Sequence, residues 1–278
     1  MKEFNPVTHV KNFAEKHSAR LGVESLERKE KAAGFLTETA NMFLFIWETA
    51  KETFSRDFEF REFLYQCYLM GNKSLPLVSI TGVIMGIVLT IESRPVLVDF
   101  GAVSMLPGMV TLSLVKEMGP VITALICAGK IGSGMGAELG SMKVTEQIDA
   151  MEVSSTNPMR FLVVPRVFAA TMMIPILILY ADAIGIFGGW AGANLKGDVS
   201  FFLFFSQAFS HLKFFDFVPA LIKSFFFGAV IGIVGCYKGY SAGRGTESVG
   251  KAANSAVVLA SVLVIFVDLI AVQITDLL

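Results

Sequence analysis

"AVSMLPGMVTLSLVKEMGPVITALICA", residues 102–128, carries two charged residues, Lys116 and Glu117, in an otherwise apolar run. About 20 predominantly apolar residues suffice to cross a hydrocarbon core about 30 Å thick. The stretch therefore reads as a membrane span with two opposite charges near its middle. Ionisable groups at that depth cost a few kcal/mol each unless they face a cavity or a partner, roughly 3 on insertion scales. Adjacent residues on an α-helix point about 100° apart. Lys116 and Glu117 are thus expected on different faces, with at most one directed squarely at any one cavity.

Four further stretches match this one, and together they set the fold class. Residues 75–91, 103–128, 165–190, 218–237 and 255–274 are each apolar enough to span or nearly so. The chain is 54% hydrophobic and 17% charged, whereas soluble domains carry about a quarter charged residues. The sequence predicts an all-α integral membrane protein of five transmembrane helices. Cys67, Cys127 and Cys236 are odd in number and widely spaced, so they form no disulfide framework. A net charge of -1 gives no electrostatic case for nucleic acid. The N-terminus lacks a short apolar segment followed by a cleavage site, so insertion is expected from the internal spans.

Before the spans the character changes. Residues 1–34 read as a charged N-terminal extension, and residues 35–74 as amphipathic interfacial helices, with residues 75–278 forming the five-span domain. In residues 35–54, Phe35, Leu36, Met42, Phe43, Phe45, Ile46 and Trp47 are interrupted by Glu38, Glu48 and Lys51. That mixture suits a helix lying in the interface, with a sixth span as the rival. Loop charge sets orientation. Lys130, Lys143, Arg160 and Arg166 fall between the second and third spans, and Lys238, Arg244 and Lys251 between the fourth and fifth. The opposite loops hold only Arg94, Lys196 and Lys213, and the first 74 residues hold eleven basic groups. A cytoplasmic N-terminus satisfies every bias at once.

Catalytic signatures are absent. "ICAGKIGSG" places Ala124 and Ile131 where a phosphate-binding loop needs Gly and Ser or Thr. His9, His17 and His211 are too scattered for a metal site, and no Ser-centred nucleophile elbow occurs. Any energy source must be an ion gradient or another subunit. Gly82/Gly86, Gly185/Gly189 and Gly228/Gly232 repeat at four-residue spacing, which lets helix backbones approach closely in lipid. Such pairs serve either intramolecular packing or a dimer seam. Pro107, Pro120 and Pro175 should kink their spans or free carbonyls.

Residues 129–166 read as a connecting loop that opens Gly/Ser-rich and contains a short helix at about 143–153. Thr145 is its expected N-cap. Val144, Ile148 and Met151 form a narrow apolar stripe, leaving Glu146, Gln147, Asp149 and Glu152 outward. Such a helix packs on the membrane surface or plugs a partner's groove. Lys116, Glu117, Asp182, Asp268 and Lys223 are the charges within spans. They serve either as register-fixing ion pairs, such as Glu117 with Lys223, or as a polar patch in a substrate cavity.

An ordered set of motifs runs through the same region: Glu117–Pro120, Gly129–Lys130–Ile131–Gly132, Ala137–Gly140, Glu146–Gln147–Ile148 and Pro165–Arg166. With "GVIMGIVL", "ALIKSFFFG" around Lys223 and "DLI" at Asp268, it resembles the permeases of MCE-associated (Mla-type) ABC transporters over about residues 35–278. Lys130 stands where the family usually has Arg, keeping the charge but losing the bidentate fork. The resemblance implies a phospholipid-transport permease of the bacterial inner membrane that contributes to outer-membrane lipid asymmetry. It implies a homodimer around a lipid-accommodating cavity, a cytoplasmic ABC ATPase, a periplasmic MCE-domain protein and a STAS-like subunit. ATP and Mg would be bound by the ATPase, with no cofactor in this chain. Residues 143–153 would be the coupling helix, with Thr145, Glu146, Gln147, Ile148, Asp149 and Met151 at the ATPase. Lys116, Glu117 and Lys223 would serve transport at the cavity, with Lys223 meeting a phosphate headgroup and Asp182 and Asp268 structural. The alternatives are an ion-coupled secondary transporter using Glu117, Asp182 or Asp268 as proton relays, and a non-transporting scaffold for an MCE assembly.

Overall fold

The computed structural model describes residues 36–53, 58–195, 197, 199–210 and 212–277. Residues 1–34, with His9 and His17, lie outside the described residues, as do Phe35, Lys196 and His211. The chain divides into two compact units, Met1–Ala50 and Lys51–Leu278. Helix α1, residues 36–53, exposes Leu36, Phe43, Leu44 and Trp47 along one stripe. It is not among the helices long and apolar enough to cross a membrane. An apolar stripe on a charged helix suits an interfacial position.

The second unit is helical throughout its described residues. Five long apolar helices cross: α2 (Phe60–Asp99), α3 (Val103–Val144), α5 (Met159–Asn194), α7 (Phe214–Tyr240) and α8 (Thr246–Asp276). Two short helices join them, α4 (Gln147–Val153) between α3 and α5, and α6 (Phe201–Ser210) between α5 and α7. The all-α, five-span expectation is met. The span edges differ from those read in the sequence. Residues 60–74 are not a separate interfacial segment but the first turns of α2, a helix of 40 residues. At 1.5 Å per residue it is about 60 Å long, twice the hydrocarbon thickness.

The Gly/Ser-rich stretch after residue 128 is likewise helix, not loop: α3 continues to Val144. Glycine-rich sequence reads as irregular because each glycine gives up more backbone freedom on folding. Here tertiary packing overrides propensity. A Cβ on Gly136 would meet Ala252, Ala253 and Ala256 of α8 at 3.3 Å, and Gly235 of α7 lies against Gly132. α6 was read as part of a long loop. Its ten residues reach only about 15 Å and cannot cross. They bury Phe204 and Ala208 against Leu106, Val110, Leu114 and Met85.

α5 is the central helix, packed chiefly against α2 on one side and α7 on another. Glycines set both contacts. A Cβ on Gly86 would come within 1.8 Å of the Gly185 carbonyl oxygen and 2.7 Å of the Gly189 nitrogen. Gly82 lies against Ala181, and Gly228 and Gly232 of α7 lie against Ala170, Thr171 and Val167. All three glycine pairs are therefore used within one chain, in helix contacts close enough for backbone to meet backbone.

Two of the crossing helices contain widened turns with a sequence cause. Leu114–Met118 and Met159–Val163 are π-helical, with the Gly119 and Val164 N–H groups donating five residues back to Leu114 and Met159. Each is followed at once by proline, Pro120 or Pro165, which has no N–H and whose ring crowds the preceding turn. A third π turn, Ala128–Gly132, has no proline beside it. Such turns occur often at functional sites.

Gly86→Ala should lower the melting temperature of the detergent-solubilised protein, because overpacking of this kind costs about 1–3 kcal/mol. Gly134→Ala, whose Cβ meets nothing within 4 Å, should leave it unchanged or slightly raised. Equal melting of the two variants would contradict the close contact of α2 with α5.

Candidate functional site

Three spans converge on one ammonium group. Lys223 of α7 donates to Glu117 Oε2 of α3 at 2.9 Å and to Asp268 Oδ1 of α8 at 3.0 Å. The lysine side chain is only 4% exposed, whereas Glu117 is 48% exposed. A buried cation with one carboxylate on either side is more than neutralised and is satisfied in two of its three donors. Two turns nearer the start of α7, Asp216 Oδ1 accepts from Lys116 Nζ at 2.6 Å. Asp216 also closes the N-terminus of α7 by accepting from the Lys213 backbone N–H.

Lys116, Glu117, Asp216 and Lys223 line one cavity of about 120 Å³, together with Phe215, Pro219, Ala220, Ala271, Val272 and Thr275. This corrects the expectation that only one of the adjacent pair could address a given cavity. Both do, because they sit in the π turn Leu114–Met118, where successive residues diverge less than on an α-helix. Their long stems also reach partners two turns apart on the same neighbour, Asp216 and Lys223. The cavity lies where α7 begins and α8 ends, the face of the bundle opposite α4. The four ionisable groups on its lining (Lys116, Glu117, Asp216 and Lys223) cancel in formal charge, and Asp268 pairs with Lys223 from outside that lining.

The second feature is α4, at the other face. It begins at Gln147, after Glu146 in left-handed backbone at φ 59°. Ser155, just past its end, is also left-handed at φ 58°. Thr145 is not its N-cap: the Thr145 hydroxyl donates back to Ser141 O, so it terminates α3 instead. The left-handed residue that follows breaks the geometry an N-cap would need. Ile148 is fully buried and Met151 partly so. Glu146, Gln147, Asp149, Glu152 and Val153 are exposed. Two tethers hold the helix. Lys143 of α3 pairs with Asp149 at 2.6 Å, and Tyr240 at the end of α7 donates to Glu152 at 3.1 Å.

Comparison with known proteins assigns this architecture. A family model described as permease MlaE matches residues 63–274. The chain belongs to the MlaE permease family. It is 40% identical over 200 residues to a probable ABC transporter permease protein of Rickettsia typhi, covering 72% of this chain and 77% of that one. It is 36% identical over 208 residues to a probable ABC transporter permease protein of Synechocystis, covering 75% and 79%. The intermembrane phospholipid transport system permease protein MlaE of Haemophilus influenzae is 35% identical over 208 residues, covering 74% and 79%. The chain is a multi-pass permease subunit of the ABC transporter class, not an enzyme, and such subunits draw on a separate ATP-hydrolysing partner.

Within this MlaE-type permease, two sequence motifs meet that the sequence reading kept apart. Glu138, from "AELG", accepts from Arg166 of "PR" at 2.7 Å. Arg166 is 3% exposed and also donates to Leu162 O at 2.9 Å. This pair locks the end of α3 to the start of α5. Asp182 lies apart from the Lys223 pairs, with Oδ1 against Gly119, where any Cβ would stand 1.7 Å away. Asp216 is the residue that sequence reasoning missed. Asp268 was visible as a charge within a span but was set aside as structural. Asp216 was placed in a loop, and only the register of α7 brings it to Lys116.

Lys223→Met should lower detergent melting temperature strongly, since removing one member of a buried pair costs about 3–5 kcal/mol. The double variant Lys223→Met/Asp268→Asn should recover part of that loss, because it leaves one fewer unmatched carboxylate. Losses that simply add would rule out the coupling.

Proposed function

We propose that the chain is the permease of a phospholipid transporter in the bacterial inner membrane, acting as a homodimer whose two copies enclose the lipid path. The observation that carries this reading is the placement of the Glu117–Lys223–Asp268 cluster relative to α4. Glu117 and Lys223 of this cluster line a cavity open at one face of the bundle, and the exposed acidic helix stands at the other. The basic loops support a cytoplasmic α4, where an ATPase would meet Glu146, Gln147, Asp149 and Val153. The cavity then faces the periplasm, where an MCE-domain protein would exchange lipid with it. A STAS-like subunit would bind the ATPase rather than this chain.

The mechanism follows from what α4 holds. Its tethers are on α3, through Lys143, and on α7, through Tyr240. Those same two helices carry Lys116 with Asp216, and Glu117 with Lys223. Displacement of α4 by closing ATPases therefore moves the two sides of the cavity against each other. The π turn Ala128–Gly132 of α3 lies between α4 and the cluster, where a widened turn bends most readily, and the turn Leu114–Met118 holds Lys116 and Glu117 themselves. Lys223 meets a headgroup phosphate only by exchanging a carboxylate partner, so lipid entry and cluster rearrangement are one event. Lys116, on the more exposed pair, is the first cation an arriving phosphate contacts.

The test is reconstitution of the full chain with its ATPase in proteoliposomes, reading lipid transfer and ATP turnover together. Glu117→Gln should cut transfer about tenfold or more while ATP turnover persists, as expected for loss of one charge-assisted contact. Asp149→Lys, which reverses the charge α4 presents, should lower transport-coupled turnover instead. Normal coupled turnover in Asp149→Lys would overturn the role of α4. Transport by the chain alone in a pH gradient would favour the ion-coupled reading.

A further inference from the structure

A second cavity, of about 500 Å³, lies on the α4 side of the bundle, between the first turns of α2 and residues 130–138 of α3. Its lining is divided. Leu69, Met70, Ile131 and Met135 give it an apolar floor, and Lys73 and Lys130 supply two cations. Among the described residues neither lysine has an ion pair or hydrogen bond. The remaining charge on the lining, Glu138, is already matched by buried Arg166. The net field is therefore positive, whereas the charges lining the first cavity cancel. Ser74 also lines it, 1% exposed, with a hydroxyl that finds no hydrogen-bond partner among the described residues. A buried hydroxyl left unpaired costs about 1–3 kcal/mol, so it marks a place where a ligand atom fits. The wall is open at Gly134, where an added Cβ would meet nothing within 4 Å.

We infer that this cavity binds the phosphate of an anionic phospholipid headgroup, with Lys73 and Lys130 on the phosphate oxygens and Ser74 donating to a third acceptor. Unmatched cations above an apolar floor suit an amphiphile, whereas free phosphate would use only the rim. The size is that of a small-molecule site, about 300–1,000 Å³. The site lies beside the π turn Ala128–Gly132, which holds Lys130, and beside the Glu138–Arg166 lock. A lipid seated there braces α2 against the half of α3 that leads into α4. The inference rests on the chain being a membrane permease but not on lipid being its cargo.

Native mass spectrometry of the purified full chain, titrated with phosphatidylglycerol, tests it. Lys73→Gln/Lys130→Gln should lose one bound lipid or bind it at least about tenfold more weakly, as for two lost charge-assisted contacts. Lys73→Arg/Lys130→Arg should retain it, and Gly134→Trp should block it by filling the cavity while leaving melting intact. Diacylglycerol, which lacks the phosphate, should not bind there, and millimolar inorganic phosphate should not displace the lipid. Undiminished lipid binding in the glutamine variant overturns the proposal, as does displacement by inorganic phosphate alone. Lys223→Met should keep this lipid even if it abolishes transport, so failure here and failure of the first cavity read out separately.

Discussion

The buried ammonium of Lys223 constrains the bundle more than any apolar contact does. Apolar faces in a bilayer have little preference for one another over lipid, so helix order must come from close backbone packing and polar pairing. A lysine within a span, by contrast, has few acceptable positions. With Glu117 at 2.9 Å and Asp268 at 3.0 Å, it fixes the rotation and depth of α3, α7 and α8 together. A shift of any of the three by one residue would turn a charge toward lipid. Register and candidate site are thus set by the same atoms, so a structural role for these charges and the proposed transport role would use a single arrangement.

Backbone packing fixes the other half of the bundle. α2 has no ion pair to α5 among the described residues, and its contact rests on Gly82, Gly86, Gly185, Gly188, Gly189 and Gly192, where backbones touch. α5 thereby serves as the shared wall between a glycine-packed side and a charge-fixed side. Asp182 sits at this wall, its carboxylate filling the space that Gly119 leaves. That fit requires glycine immediately after the first π turn. The Glu-x-Gly-Pro motif thus has three separate physical jobs in four residues: Glu117 for Lys223, Gly119 for Asp182, and Pro120 for the widened turn.

Much of this was legible in the sequence. The five spans, the charged residues inside them and the exposed acidic face of α4 follow from hydropathy, composition and period. The pairing of Glu117 with Lys223 was available as one option among several. What could not be read is everything that depends on contacts between helices. Glycines 132, 136 and 140 look like a loop until α7 and α8 are seen against them. Thr145 has the chemistry of an N-cap, yet the left-handed Glu146 after it gives its hydroxyl to the preceding helix. Lys116 and Glu117 address one cavity because proline three residues on reshapes the turn that holds them, an effect that a uniform 100° per residue hides.

The two cavities differ in net charge, and the difference bears on how lipid would move. The first, toward the far face, is lined by four charges that cancel, and every cation there has a carboxylate within 3.0 Å. Anionic phosphate enters such a site against competition and leaves it easily. The second, on the α4 side, offers two cations without competing partners. A field that is positive at one face and internally compensated at the other favours holding a phosphate near α4 and releasing it at the far side, unless work is done to rearrange the pairs. The proposed ATPase contact at α4 would supply that work, since α3 runs unbroken from the π turn that holds Lys130 to the one that holds Glu117. Coupling between the two ends therefore needs no separate relay; one helix carries a group from each cavity and the end that joins α4.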